Sequence, residues 1–200
     1  MTERKTKHDI RSEATRERLI SEARALFAER GYASVSTEEI VHAAGVTRGA
    51  LYHQFRDKAE LFAAVAEVVE AEVIAQVAGE MAAAGDDSVA AILAGARTLL
   101  IVCARPDVER ITLIDAPAVM GAVAWRELSA RYSLSLIKAA LVAAMESGAF
   151  ARQPVDPVAH LLMGALEEAV RYIAGADDQP AAREACLSAL TRLVQSLRAE

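Results

Sequence analysis

A short segment around residue 50 concentrates the side chains of this chain that are best suited to bind a polyanion. Along a helix, Arg48, Gly49, Tyr52 and His53 would lie on one side and the apolar Leu51 on the other. An arginine at the start of a helix can donate two parallel hydrogen bonds to guanine, and a neighbouring glycine lets the backbone approach a groove closely. Tyrosine and histidine can donate to phosphate oxygens, which sets register without reading bases. These residue types at these spacings predict contact with duplex DNA.

Two short helices joined by a tight turn would have to position this face. Ser36 and Glu39 have the spacing of a capping box, so the first of the two helices is predicted to begin near Thr37. Gly45 permits the positive φ of a sharp helix exit, and Thr47 is a natural N-cap for the second helix. This layout over residues 36–56 indicates a helix-turn-helix motif.

Another helix is predicted to follow at once. Asp57 and Glu60 repeat the capping-box spacing, and Lys58 would stand at the helix N-terminus, where a bound anion such as phosphate would suit it. Any one of these side chains could instead be an ordinary surface residue, with Tyr52 half-buried and Arg48 simply solvated, but the combination favours DNA. The predicted DNA contacts are Ser36, Thr37, Thr47, Arg48, Gly49, Tyr52, His53 and Lys58.

The stretch from Thr15 to Leu61 resembles the DNA-binding domain of the tetracycline-repressor (TetR) family of bacterial regulators. The segments ALFAERGYASVSTEEI, AAGVTRGALYHQF and DKAELF carry the resemblance, which covers about a quarter of the chain. His42 departs from the family pattern, which usually has a small residue there, and we expect it to be exposed and neutral rather than a DNA contact. The resemblance implies an all-α fold of nine helices, with an N-terminal three-helix head and dimerisation through the last two helices.

The composition is that of a packed protein without recognisable catalytic machinery. The 200 residues are 54% hydrophobic, with a mean hydropathy of +0.20, which is enough for a substantial core. No phosphate-cradling glycine loop, zinc-type spacing or Ser/His/acid motif is present, so we expect no enzyme, cofactor or metal site. Cys103 and Cys186 are predicted to be buried thiols, a disulfide being the less favoured alternative. With no apolar run near the roughly 20 residues of a membrane span and no signal peptide, the protein is expected in the cytoplasm, away from membranes.

The net charge of −6 is unevenly distributed along the chain. Residues 1–60 hold 11 Lys+Arg against 10 Asp+Glu, and residues 61–200 hold 11 against 18. The acidity is therefore outside the predicted DNA-binding segment. Arg4, Lys5, Lys7 and Arg11 form a basic arm over residues 1–12 that could lie along the phosphate backbone, or could equally be a solvated tail.

Helical periodicity and helix-breaking residues predict an all-α chain of about nine helices. The DNA-binding domain would span residues 13–60, and a helical effector-binding and dimerisation domain would span residues 61–200. Predicted helices cover residues 13–30, 37–44, 47–56, 58 to about 84, 88–104, 107 to a break at Asp115-Ala116-Pro117, 123–147, 157–174 and 180–198.

The last two predicted helices have broad apolar faces. Two copies of such a pair would form a four-helix bundle and a two-fold dimer, which can present two recognition helices to a palindrome. The alternative is that these faces close the core of one chain. The predicted dimer residues are Leu161, Ala165, Ala169, Leu187, Leu190, Val194 and Leu197.

Isolated polar and aromatic side chains punctuate the apolar helices of the second domain, as in small-molecule sites. Each of them could instead be a core or surface residue. The segments LIDAPAVMG and ARYSLSLIKAAL resemble the C-terminal domain of one TetR subgroup, which identifies no ligand. The predicted ligand-binding residues are Arg97, Thr112, Asp115, Trp125, Tyr132, His160, Met163 and Glu167.

Together these features predict a ligand-responsive transcription regulator. It would most simply be a repressor that binds a palindromic operator as a homodimer and is released by a small apolar or amphipathic effector. The alternative is a helical interaction or scaffold protein without sequence-specific DNA binding.

Overall fold

The computed structural model describes residues 7–199, with side chains from residue 11 onward. A 3₁₀ turn covers Tyr32–Ser34 and a π-helical turn covers Arg110–Asp115; no strand occurs in the described residues. The α-helices are α1 (Lys7–Arg30), α2 (Thr37–Ala43), α3 (Arg48–Gln54), α4 (Lys58–Ala83), α5 (Ser88–Val102), α6 (Pro106–Glu109), α7 (Ala116–Met120), α8 (Ala122–Glu146), α9 (Val155–Ala174) and α10 (Gln179–Gln195).

The predicted all-α fold is confirmed. If α6, the π-helical turn and α7 are counted as one continuous helix, the described residues contain nine helices, as predicted. Most predicted bounds agree with the structure to within a few residues, because capping residues and glycines mark them. Gly45, for example, has φ +60 and ends the α2 segment, and Gly148 has φ +77 after α8.

Two predicted boundaries are wrong. Helix α1 begins at Lys7 instead of Glu13, so Lys7 and Arg11 belong to this helix and not to a separate arm; Arg4 and Lys5 lie outside the described residues. The predicted break at Asp115-Ala116-Pro117 does not occur. Pro117 stands in the first turn of α7, where a missing N–H costs no helical hydrogen bond, and the chain breaks at Gly121 instead.

The chain groups into two compact units. The first contains the chain up to Val69 together with Arg110–Trp125, and the second contains Glu70–Glu109 and the chain from Arg126 onward. The sequence placed all of residues 61–200 in one domain. In the structure the carboxylate of Asp115 accepts a hydrogen bond of 2.8 Å from the backbone N–H of Tyr32, which ties the central segment to the head.

An aromatic cluster holds the head together. The rings of Phe27 and Phe62 meet edge to face with centroids 5.4 Å apart, and Tyr32 packs against both. Phe55, at the end of α3, is buried under the guanidinium of Arg16, which lies 4.4 Å from the ring centroid. The ring contacts join α1 to α4, and the Arg16 contact joins the end of α3 to α1, so the outer face of α3 has a packed support.

The second unit has its own apolar core. Buried side chains from α5, α8, α9 and α10 meet in one cluster: Val89, Leu141, Ala144, Met145, Phe150, Ala159 and Val194. Helix α10 therefore packs into the protomer and is not an appendage.

Helix α8 is long and apolar enough to cross a membrane, by length and composition only. It also carries Arg126, Glu127, Arg131 and Lys138, and core helices of soluble proteins have the same composition. This feature is weak evidence for a membrane.

Candidate nucleic-acid interface

The two helices of the motif are capped as predicted. The Ser36 hydroxyl accepts from the N–H of Glu39 at 3.2 Å, while the Glu39 carboxylate accepts from the N–H of Ser36 at 2.8 Å. Thr47 caps α3 by accepting from the N–H of Ala50 at 3.2 Å. Each bond satisfies a backbone amide that the helix leaves unpaired. The start of α3 is therefore fixed by local chemistry.

The carboxylate of Glu39 is held in its ionised form. The backbone bond from Ser36 is the largest cause, and the Arg30 guanidinium at 2.7 Å adds to it, so the pKa of Glu39 falls to about 2. Arg30 in turn donates to the carbonyl of Ser34 at 2.8 Å. The end of α1 and the start of α2 are thus joined by charge-assisted hydrogen bonds.

The outer face of α3 is open to solvent. Thr47, Arg48, Gly49, Tyr52 and His53 are all exposed. The opposite face of the same helix is buried in the head through Leu51 and, just after the helix, Phe55. This arrangement matches the predicted division of α3 into an inner apolar face and an outer face of hydrogen-bond donors.

Arg48 is not free in this structure. Its guanidinium pairs with the Glu38 carboxylate at 3.1 Å and lies 5.6 Å from the centroid of the Tyr52 ring. The pair is well exposed, and exposed pairs are weak. Sequence reasoning missed Glu38, whose only visible signal was its place in the first turn of α2. A DNA-bound Arg48 would have to leave this carboxylate.

Gly49 has no structural need to be glycine. A Cβ added there would meet only the Thr47 Oγ1 atom, at an ordinary contact distance of 3.9 Å. The helix gains no close packing from the missing side chain, although glycine lowers helix stability. The absence of a side chain on this exposed face suits close approach of a partner.

Two further predicted contacts, Ser36 and Thr37, have hydrogen-bond partners within the head. The Ser36 hydroxyl donates to the Glu39 carboxylate at 2.8 Å, and the Thr37 hydroxyl donates to the Glu38 carboxylate at 3.2 Å. Both hydroxyls are therefore occupied inside the head. His42 is exposed, as expected from its position.

Lys58 has partners within the head. Its Nζ donates to the carbonyls of Tyr32 at 2.9 Å and Val35 at 2.8 Å, and lies 4.0 Å from the centroid of the Tyr32 ring. Partial burial lowers the pKa of Lys58, while the Asp115 carboxylate opposes that shift. The ammonium needs no bound anion to explain its place, because two carbonyls already hold it. The predicted phosphate contact would use the remaining donor.

The N-terminus of α4 is capped differently from the prediction. Asp57 accepts from the N–H of Glu60 at 2.8 Å, as in a capping box. The Glu60 carboxylate, however, accepts from the N–H of Arg56 at 2.6 Å, one residue ahead of the cap. Two carboxylates thus already supply negative charge at this helix end.

The predicted ligand-binding residues divide between the two units. The first unit contains Thr112, Asp115 and Trp125, and the Asp115 carboxylate accepts the hydrogen bond from the N–H of Tyr32 there. The remaining five belong to the second, where Met163 is buried, Arg97 and His160 are exposed, and Tyr132 and Glu167 are partly buried. The sequence missed a buried carboxylate, Glu70 of α4, which accepts hydrogen bonds from Ser129 and Ser133.

The predicted dimer residues are mostly core residues of one chain. Leu187, Leu190 and Val194 of α10 and Ala169 of α9 are buried in the protomer, and Leu197 packs against its core. The four enclosed side chains offer little surface to a partner, so their burial does not support them as dimer contacts, whereas Leu197 is only partly buried. Of the predicted set, Ala165 is partly buried and only Leu161 is strongly exposed, at 74%. Tyr172 and Leu193 are also exposed on these two helices.

The cysteines are free thiols, and both are partly buried. Burial and the nearby charge of Glu70 raise the pKa of the Cys103 thiol to about 12, so it is unreactive as a nucleophile. Among the described residues, no group of three or more His, Cys, Asp or Glu side chains is placed to hold a metal ion.

Comparison with known proteins identifies both parts of the chain. Residues 19–65 match the family described as bacterial regulatory proteins, tetR family, and residues 89–197 match the tetracyclin repressor-like C-terminal domain. The HTH-type transcriptional regulator AcrR of Shigella flexneri is 43% identical over 70 residues, which are 35% of this chain and 32% of that protein. The chain therefore matches about a third of the length of this curated relative.

Two solved structures extend the similarity to nearly the whole chain. A TetR-family transcriptional regulator from Pectobacterium atrosepticum is 33% identical, with a TM-score of 0.85 over 98% of this chain and 99% of that one. RolR in complex with the ligand resorcinol is 25% identical, with a TM-score of 0.72 over 92% and 89%. The tetR family and its curated relatives are transcription regulators and not enzymes. With matches over both its N-terminal and its C-terminal parts, the chain belongs to the tetR family of bacterial regulatory proteins.

Proposed function

We propose that this protein is a transcription repressor without catalytic activity, which binds a palindromic DNA operator as a homodimer and is released by a small effector. The exposed donor face of α3, backed by the buried Leu51 and Phe55, is the observation that carries the proposal. Arg48 would read a guanine, and Tyr52 and His53 would hold phosphates. A repressor of this kind acts in the cytoplasm and needs no membrane or cofactor.

A dimer supplies the second reading head. One short recognition helix contacts only a few base pairs, whereas a two-fold dimer contacts two half-sites and gains specificity from their spacing. The exposed apolar residues Leu161 and Tyr172 of α9 and Leu193 of α10 support a dimer through these helices. Burying them against a second copy would remove apolar surface that one chain leaves in water.

The effector is proposed to bind in the C-terminal helical domain. The relative RolR has been solved with resorcinol, a small aromatic compound, which supports a small amphipathic effector here as well. Helix α4 runs through Val69 in the first unit and continues from Glu70 in the second, so it could carry a displacement between them. The effector must bind the form that does not fit DNA more tightly, and DNA must weaken effector binding by the same factor.

Selection of bound sequences from a random DNA pool tests the proposal. We expect an enriched palindrome, and a binding assay on it should give a loss of about 1–3 kcal/mol for Arg48→Ala with relaxed preference at one base position. Arg152→Ala, which removes an exposed arginine outside the head, is the matched control and should bind normally. If no sequence is enriched, or if Arg48→Ala binds like the unmodified protein, the repressor proposal is wrong. The alternative, a helical scaffold protein without sequence-specific DNA binding, would then be favoured.

A further inference from the structure

One carboxylate lies among the side chains proposed to bind DNA. Glu38 stands in the first turn of α2 and reaches the first residue of α3, Arg48. The Glu38 side chain is 61% exposed and that of Arg48 is 65% exposed, so the pair lies at the surface of the head. Because DNA is a polyanion, a carboxylate on a surface that meets it is repelled by the phosphates. The charge of Glu38 therefore opposes the binding that its neighbours favour.

Both oxygens of Glu38 are engaged by groups that are themselves predicted DNA contacts. Oε1 pairs with Nη1 of Arg48 at 3.1 Å, and Oε2 accepts from the Thr37 hydroxyl at 3.2 Å. Phosphate oxygens and the O6 and N7 atoms of guanine are acceptors for the same kinds of donor. A donor that turns to DNA exchanges the carboxylate for an acceptor on the nucleic acid. Glu38 and DNA thus compete for one set of hydrogen bonds.

The size of this competition follows from the exposure of the pair. Exposed ion pairs are weak, because water surrounds both charges, so DNA can displace Glu38 from Arg48. The displaced carboxylate stays beside the bound DNA and adds repulsion, which dissolved salt screens. Both effects lower the affinity of the head, and neither is large enough to prevent binding.

We propose that Glu38 is a built-in competitor of DNA, an autoinhibitory contact whose carboxylate holds Thr37 and Arg48 and keeps DNA affinity below what these donors alone would give. This inference rests on the proposed DNA-binding function. Removal of the Glu38 charge should strengthen binding, in contrast to the loss expected for Arg48→Ala, and it should do so mainly through Arg48.

Fluorescence anisotropy with the selected operator compares Glu38→Gln with the unmodified protein at low and high salt. Glutamine keeps the length of the side chain and an acceptor for Thr37, but removes the charge. We expect about two- to fivefold tighter binding at low salt, the size of an exposed ion pair, and a smaller gain at high salt, where charges are screened. In the Arg48→Ala background, the gain from Glu38→Gln should fall to about half or less, since the two side chains are coupled.

Glu29→Gln is the matched control, because it removes an exposed carboxylate from α1 of the same head and should change operator affinity less than Glu38→Gln does. Thermal unfolding checks that each variant is folded. Unchanged binding of Glu38→Gln would overturn the inference, and weaker binding would overturn it by showing that Glu38 orients Arg48 towards DNA.

Two further outcomes would also overturn the inference. A gain that persists undiminished without Arg48, or that Glu29→Gln equals, would show that the general charge of the head is sufficient to explain the effect. If the unmodified protein binds no operator, the proposed function itself fails and this inference fails with it. That result is distinct from an unmodified protein that binds while Glu38→Gln binds no more tightly.

Discussion

Replacing Gly49 with alanine should separate the folding of α3 from its approach to DNA. An added Cβ meets only Thr47 Oγ1 at 3.9 Å, so the head accommodates the methyl group without strain. Alanine is a better helix former than glycine, by about 0.5–1 kcal/mol. The variant should be more stable, with a melting temperature raised by about 1–4 °C for a chain of this length.

DNA binding should change in the opposite direction. The methyl group would project from the face between Thr47, Arg48 and Tyr52, where the backbone has to approach the groove. Adding a methyl group to a closely packed contact costs about 1–3 kcal/mol, which corresponds to about 5- to 150-fold weaker binding. Fluorescence anisotropy with a labelled operator measures this loss, and a thermal melt of the same sample measures the stability.

Gly79→Ala is the control for this experiment. Gly79 is an exposed glycine inside α4 with nothing within 4 Å of an added Cβ, so alanine should stabilise that helix by a similar amount. It lies outside the head, and operator affinity should stay the same. If Gly49→Ala gains stability and binds the operator as tightly as the unmodified protein, the start of α3 does not approach DNA closely, and the reasoning fails.

Three further predictions follow from the contacts of the described residues. Lys58→Ala should lower the free energy of unfolding by about 1–3 kcal/mol, because two charge-assisted bonds to carbonyls are lost, and denaturant unfolding measures this loss. The same variant should bind all DNA sequences more weakly by about the same factor, which a salt titration of binding checks. Leu193→Glu should place a charge in the proposed dimer interface of α9 and α10 and give monomers by light scattering. A variant that dimerises as well as the unmodified protein would exclude this surface as the interface. The stabilisation from Glu39 should be complete above the ordinary carboxyl pKa and disappear as pH falls towards about 2. The melting temperatures of Glu39→Gln and the unmodified protein should therefore converge in acid, and a constant difference would contradict that assignment.

The recognition motif was readable from the sequence because its determinants are local. The capping box of Ser36 and Glu39, the N-cap Thr47 and the turn at Gly45 all act within a few positions of the chain. Hydrogen bonds of this kind depend on the order of residues more than on the packing around them. The predicted outer face of α3 followed directly from helical periodicity.

Assignments that depended on distant parts of the chain were less successful. Periodicity shows that α10 has an apolar face, but it does not show whether that face meets its own chain or a partner. In the structure, Leu187, Leu190 and Val194 are enclosed by the protomer, and the exposed Leu193 lies on another side. Many helical arrangements can bury one stripe, so packing alone decides which surface stays free.

The sequence by itself determined an all-helical chain, the helix-turn-helix, and the residues that α3 presents to solvent. Only the tertiary structure decided the roles of Lys58, Asp115 and Glu70. Lys58 donates to carbonyls of the turn after α1. Asp115 accepts a hydrogen bond from the backbone amide of Tyr32, 83 positions away, and Glu70 accepts one from the hydroxyl of Ser129, 59 positions away. Such charges are placed by what surrounds them after folding, because the cost of burying a charge depends on partners that sequence spacing does not reveal.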